Sequence, residues 1–210
     1  MFTGIIEEVG SVRAVRRGSS EAKIIIACSK VLGHSGSLSG GRLRGPATAI
    51  GDSIAVNGVC LTVTAMDGDT FTADVMPETF ARSALSELRP GSPVNLERAM
   101  AADGRFGGHF VSGHIDGTGS IVKLQRDGNA VWFTIAAEEQ LLRYIVTKGS
   151  IAIDGISLTV AETGSDSFSV SIIPHTLAAT ALSGKTAGSR VNLETDIIGK
   201  YIEKLLGGTK

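Results

Sequence analysis

Cysteine, serine, threonine, lysine and histidine recur at strand-like positions of this 210-residue chain. Cys60 and Thr62 stand in NGVCLTV, Ser157 and Thr159 in DGISLTV, and Lys148 opens KGSIAIDG. His109 and His114 lie in GGHFVSGHIDG, with Ser53, Thr79, His175 and Thr176 at similar points of the pattern. A thiol or hydroxyl can deliver a nucleophile, and histidine titrates near neutrality and moves protons. Lysine can hold developing negative charge. Alternation puts Val59, Leu61 and Val63 on one face of a strand and Cys60 and Thr62 on the other. Polar groups inside a small barrel are costly unless paired, whereas on its outer face they can line a ligand cleft. Taken singly, each Ser or Thr is also an ordinary exposed strand residue, and Cys60 a small packed one.

Other chemistries lack their residues. On a strand, a spacing of five puts His109 and His114 on opposite faces, and no carboxylate or cysteine cluster completes a ligand set, so no metal is expected. Ser157 with His114 lacks the strained G-x-S-x-G turn of a hydrolase. No glycine-rich stretch matches a P-loop or a strand-linked G-x-G-x-x-G. A net charge of −1 offers no field for nucleic acid or an anionic membrane. The apolar runs are strand-sized, well short of the roughly 20 residues a spanning helix needs. MFTGIIEE lacks the basic start of a secretory signal, and two cysteines, Cys28 and Cys60, make no disulfide framework. A soluble, cytoplasmic protein with reduced thiols is expected.

The elements that position these residues come in duplicate. Residues 53–97 match 150–194 without a gap, with 21 of 45 positions identical, ending in Val94-Asn95-Leu96-Glu97 against Val191-Asn192-Leu193-Glu194. The starts of the halves also match, Thr3-Gly4-Ile5-Ile6 over Ser112-Gly113-His114-Ile115. The first copy therefore carries an insertion, placed in the Gly/Ser-rich segment 34–47, where His34 reads as solvated and incidental. Asn57-Gly58 and Asp154-Gly155 predict two-residue hairpin turns. Strands are expected at Thr3–Val9, Lys23–Cys28, Thr70–Met76 and Val94–Arg98, with partners in the second half. About six short strands per copy suit a small closed barrel, with a sandwich as the alternative. PETFARSAL at 77–85 and PHTLAATAL at 174–182 read as short helices opened by proline. The tail at 196–206 puts Ile197, Ile198, Tyr201, Ile202, Leu205 and Leu206 on one stripe. It packs on its own barrel or on another subunit; periodicity does not choose.

MFTGII, NGVCLTV, GGHFVSGHIDG, KGSIAIDGISLTV, IIPHTL and VNLETD, in this order, resemble the riboflavin synthase α-type family from Met1 to about Leu206. The resemblance implies an all-β fold of two tandem six-stranded Greek-key barrels with a C-terminal helix. Residues 1–97 and 98–195 would be the two lumazine-binding barrels, and 196–210 the helix, an oligomer contact. The activity implied is dismutation of two 6,7-dimethyl-8-ribityllumazine molecules, by transfer of a four-carbon unit, to riboflavin and 5-amino-6-(D-ribitylamino)uracil. No added cofactor is implied. A homotrimer with sites shared between subunits is, and so is association with lumazine synthase. By motif, Cys60, His114, Lys148 and Ser157 would be catalytic. Phe2, Thr3, Gly4, Ser53, Thr62, Thr79, Gly113, Thr159, Ile173, Pro174, Thr176 and Asp196 would bind substrate. A non-catalytic lumazine- or flavin-binding antenna protein of the same lineage is the alternative. A flavin reductase would need a nicotinamide-binding domain for which the chain has no room.

Overall fold

The computed structural model describes residues 1–18, 21–33 and 47–207; His34 and nearly all of the expected inserted segment lie outside them. Among the described residues, twelve strands close into two antiparallel barrels, which settles the choice against a sandwich. The first holds β1 (Glu8–Arg17), β2 (Ala22–Ala27), β3 (Ser53–Val56), β4 (Val59–Asp67), β5 (Thr70–Val75) and β6 (Pro93–Arg98). Their ring order is β1-β2-β5-β4-β3-β6. The second holds β7 (Gly117–Asp127), β8 (Ala130–Ala136), β9 (Ser150–Ile153), β10 (Ile156–Thr163), β11 (Ser167–Ile172) and β12 (Arg190–Thr195) in the equivalent order. In each ring three hairpin-linked strands are flanked by an earlier one that returns beside the last, a Greek key.

Alternation fills the barrels. Ile24, Ile26, Ile54, Leu61, Val63, Phe71 and Leu96 meet inside the first, and Ile121, Phe133, Ile135, Ile151, Val160, Phe168 and Leu193 inside the second. Each such side chain contributes roughly 1.5–3 kcal/mol by leaving water. Both predicted hairpins are present, Val56 pairing with Val59 and Ile153 with Ile156. Asn57 and Asp154 take φ +46°, the left-handed value that a type I′ turn requires and asparagine or aspartate tolerates.

Two expectations change. The first strand begins at Glu8 and not at Thr3, because Thr3 and Gly4 bend into a turn whose N–H groups are held by the Glu97 carboxylate. The expected helix over 77–85 is divided into α1 (Pro77–Arg82) and a 3₁₀ turn (Ala84–Glu87). That over 174–182 likewise becomes α3 (Pro174–Ala178) and a turn at Ala181–Gly184; α2 (Glu139–Leu142) lies between them in the chain. The break has a tertiary cause. Ala84 N–H donates to Asn192 Oδ1 and Ala181 N–H to Asn95 Oδ1, both at 2.7 Å, so these amides serve the opposite barrel. The tail forms α4 (Ile197–Leu205), capped by Asp196 Oδ1 accepting from Ile198 N–H at 3.0 Å.

The barrels meet back to back at the two hairpin turns. A Cβ on Gly58 would stand 2.7 Å from the Gly155 nitrogen, and one on Gly155 as close to that of Gly58. Around this contact Asn95 Nδ2 donates to Asp154 O (2.9 Å) and Asn192 Nδ2 to Asn57 O (2.8 Å). The symmetry fails at one place. Asp154, wholly buried, pairs with Lys185 at 3.0 Å, where the first copy has Asn57 and Leu88. Burial pushes the Asp154 carboxyl up while Lys185 pulls it down.

Gly58→Ala puts a methyl group into the facing backbone at positive φ, so it should cost roughly 1–3 kcal/mol. In urea unfolding the midpoint falls; a midpoint equal to that of the parent chain would show that the two turns are free to separate. Lys185→Met strands a buried carboxylate and should cost about 3 kcal/mol, whereas Asp154→Asn with Lys185→Leu, the first copy's arrangement, should recover most of it. Equal losses from single and double variants would contradict the pairing.

Candidate active site

Strand β10 presents Ser157 on its outer face, half-buried at the seam. Its N–H donates to the Gly4 carbonyl at 2.8 Å, and its Oγ lies 2.7 Å from His109 Nδ1. Gly4, at φ +78°, is as close as a residue can come: a Cβ there would sit 2.6 Å from that of Ser157. The first copy builds the counterpart. Cys60 N–H donates to Gly113 O at 2.8 Å, and a Cβ on Gly113 (φ +82°) would sit 2.6 Å from that of Cys60. Phe2, fully buried and bridged to Val111, fills the space between, with Ala55 and Ala152. The opening turn of the first half thus backs onto Ser157 and that of the second half onto Cys60.

The two clusters differ in chemistry. Burial holds the His109 imidazole below its ordinary range, with the Asp196 carboxylate pulling it up. Depression of the pKa favours the neutral ring at neutral pH, and a neutral ring has one nitrogen free to accept a proton. Nε2 is buried without a partner among the described residues. With the proton on Nδ1, Ser157 accepts and Nε2 is a free base; with it on Nε2, Nδ1 draws on the serine hydroxyl. No described histidine is hydrogen bonded to Cys60. Cys60 is half-buried, whereas the Cys28 thiol, sunk in the first barrel, is pushed up to about 12 chiefly by burial and stays protonated.

Lys148 sits at φ +68° where the first copy has Gly51 at φ +95°. A non-glycine residue there is held at a cost of order 1 kcal/mol, so the ammonium is kept at a position that suits glycine better.

A cleft of about 380 Å³ opens between the 143–150 segment and α4. Arg143, Tyr144, Val146, Gly149, Ser150, Asp196, Ile198 and Ile202 are among its lining. Glu203 bonds both Arg143 and the Tyr144 hydroxyl, tying α4 to the wall, and pushes the Tyr144 phenol up. Ser150 faces Thr159 in the β9–β10 pair, as Ser53 faces Thr62 in β3–β4.

The sequence-predicted residues therefore divide. Ser157, Gly4 and Asp196 gather around His109, and Cys60, Gly113 and Phe2 around the other half of the seam. Thr3 is buried, its N–H and hydroxyl both given to Glu97. Thr62, Thr159, Lys148 and His114 are exposed, and Ser53 half-buried. Thr79, Ile173, Pro174 and Thr176 lie at the starts of α1 and α3, with no described hydrogen bond to either cluster. His109 and His114 do not share a strand, so the opposite-face argument does not apply; only Val111 between them makes a bridge. His109, in the same motif as His114, is the residue that touches Ser157. Glu97 and Glu194 were visible only as the last letter of a repeated VNLE.

The lumazine binding domain model matches twice, at residues 3–99 and 112–196. The chain is 55% identical over 206 residues to a riboflavin synthase of Actinobacillus pleuropneumoniae, covering 98% of this chain and 90% of that one. It is 48% identical to those of Bacillus subtilis (98% and 90% covered) and Mycobacterium tuberculosis (98% of each). In fold it is similar to LumP complexed with 6,7-dimethyl-8-(1'-D-ribityl) lumazine, with a TM-score of 0.79 at 24% identity over 93% of this chain and 99% of that one. The LumP complex with riboflavin aligns with a TM-score of 0.81 at the same identity and coverage. With its two matched domains and close relatives along almost its whole length, the chain belongs to the riboflavin synthase family.

Proposed function

We propose that this protein is a riboflavin synthase, joining two 6,7-dimethyl-8-ribityllumazine molecules into riboflavin and 5-amino-6-(D-ribitylamino)uracil. The observation that carries this is the pair of equivalent but chemically unequal clusters, Cys60 with Gly113 and Ser157 with Gly4 and His109. Two identical substrates must play opposite parts. One gives up a four-carbon unit and the other receives it, so related pockets need different polar groups. The two products together hold all the atoms of two substrates, so the balance needs no oxidant, reductant or other cofactor.

The steps place demands on side chains. A proton must leave the C7 methyl of one lumazine, giving a carbanion spread over the ring, and a nucleophile must add at C7 of the other. His109 and His114 supply the imidazoles for proton transfer. Cys60 and Ser157 deliver or stabilise the nucleophile, and Lys148 stabilises negative charge on the ring. Ser53, Thr62, Thr79, Thr159, Ile173, Pro174, Thr176 and Asp196 would line the two substrate sites. Holding two ring systems face to face supplies much of the acceleration.

A homotrimer is the proposed assembly, in the cytoplasm, with lumazine synthase as a further partner. Support for self-association comes from α4. Its stripe is exposed, Leu205 by 83% and Leu206 by 81%, with Ile198, Tyr201 and Ile202 at half or more. A face of that kind needs a cover, and a further copy of the chain supplies one. Sites shared between neighbouring subunits would bring one chain's first barrel to another's second.

Purified protein incubated with the lumazine alone should develop riboflavin absorbance; binding without turnover would leave a carrier protein. Ser157→Ala and Cys60→Ala should lower turnover by unequal amounts, and His109→Ala by about 10²–10⁴-fold. Equal, mild losses at Ser157 and Cys60 would count against divided roles. Leu205→Glu with Leu206→Glu should slow sedimentation to that of a smaller species and reduce activity with it. An unchanged sedimentation profile would refute the role of α4 in assembly.

A further inference from the structure

The carboxylates of Glu97 and Glu194 are buried, 5% and 2% exposed, and neither is ion-paired among the described residues at hydrogen-bonding distance. Each is instead saturated with donors from one short turn. Glu97 Oε1 accepts from Thr3 N–H at 2.7 Å and Thr3 Oγ1 at 2.9 Å, and Oε2 from Gly4 N–H at 3.0 Å. Glu194 repeats the clamp: Oε1 accepts from Ser112 N–H at 2.6 Å and Ser112 Oγ at 2.8 Å, and Oε2 from Gly113 N–H at 3.0 Å. The two oxygens fix two consecutive amides, and so fix the direction of the peptide that follows.

That peptide carries the carbonyl on which the other barrel's reactive position rests. Gly4 O accepts Ser157 N–H, and Gly113 O accepts Cys60 N–H, each at 2.8 Å. Glu97 lies on β6 of the first barrel and Ser157 on β10 of the second; Glu194 lies on β12 and Cys60 on β4. The side chain of each glutamate follows its seam asparagine, Asn95 or Asn192, at the alternate position of the same strand face. Each path from carboxylate through turn to Ser157 or Cys60 therefore crosses the seam once, and the two paths cross in opposite directions.

We propose that Glu97 and Glu194 are crossed positioning residues, Glu97 setting the Ser157–His109 cluster of the second barrel and Glu194 setting Cys60 of the first. Each barrel's reactive position is oriented by a carboxylate of the other, acting through a turn and not by contact with substrate. Burial pushes both carboxyls up and their N–H donors pull them down, which accords with the clamps being needed to keep the charged form in place. The inference rests on the reading of Cys60 and Ser157 as the reactive positions.

Its test reads the two clusters without turnover. In a Cys28→Ala background, the rate of Cys60 alkylation by iodoacetamide reports one cluster, and the ring-nitrogen shifts and titration midpoint of His109 by NMR report the other. Glu194→Gln should change Cys60 alkylation several-fold and leave His109 in place. Glu97→Gln should move His109 and leave Cys60 alkylation as it was. In turnover both should lower kcat more than they raise KM. Should Glu97→Gln not fold, Thr3→Val removes one bond of the same clamp and should move His109 in the same direction by less. Each glutamate affecting its own barrel's reporter, both reporters moving together, or neither moving would overturn the crossing. Because neither reporter needs substrate, a protein without synthase activity would still show the crossed pattern, so the two readings fail separately.

Discussion

The surroundings of Cys60 and Ser157 depend on how closely two peptide backbones approach at Gly58 and Gly155. With no side chain on either, the type I′ turns of the two barrels lie in van der Waals contact. That distance lets Asn95 and Asn192 reach across to the facing turn carbonyls and, with their oxygens, to the amides of Ala84 and Ala181. It also places each opening turn, at Gly4 and Gly113, under the strand of the other copy. Buried hydrogen bonds of this kind add about 1 kcal/mol each when made and cost more when one partner is lost. A seam of paired bonds therefore specifies one docking angle more than it deepens stability.

On this frame the duplication keeps structure and varies chemistry. Among the residues shared by both copies are those the seam and cores use: Gly58 and Gly155, Asn95 and Asn192, Glu97 and Glu194, Phe71 and Phe168. The residues that differ include three pairs among the proposed site residues: Cys60 against Ser157, Gly51 against Lys148, Ala99 against Asp196. One core difference puts a buried Asp154–Lys185 ion pair where the first copy has Asn57 and Leu88, and leaves the turn backbone alike. A reaction between two copies of one molecule gives such a division a purpose, since donor and acceptor need the same shape and unlike functional groups.

Much of this was legible from local pattern. Alternation in VCLTV separated Cys60 and Thr62 from the face carrying Val59, Leu61 and Val63, and the Asn-Gly and Asp-Gly pairs located both turns. The repeat offset revealed two equal units. What escaped was set by partners distant in sequence. The helices expected over 77–85 and 174–182 break because asparagines 108 and 86 residues away claim their amides. Thr3–Gly4 leaves the strand because Glu97, 94 residues on, binds it. The pairing of His109 with Ser157 spans 48 residues and needs the turn at Gly4 to close the space. Periodicity carries none of these distances.

The central claim is that one chain carries two related sites of unequal chemistry. Calorimetric titration with a lumazine analogue lacking the C7 methyl, which cannot give up the proton, tests it most directly. Two molecules should bind per chain with different affinities, and Cys60→Ala should weaken one class while leaving the other. A single class of identical sites, or a change in both from that one substitution, would contradict the account.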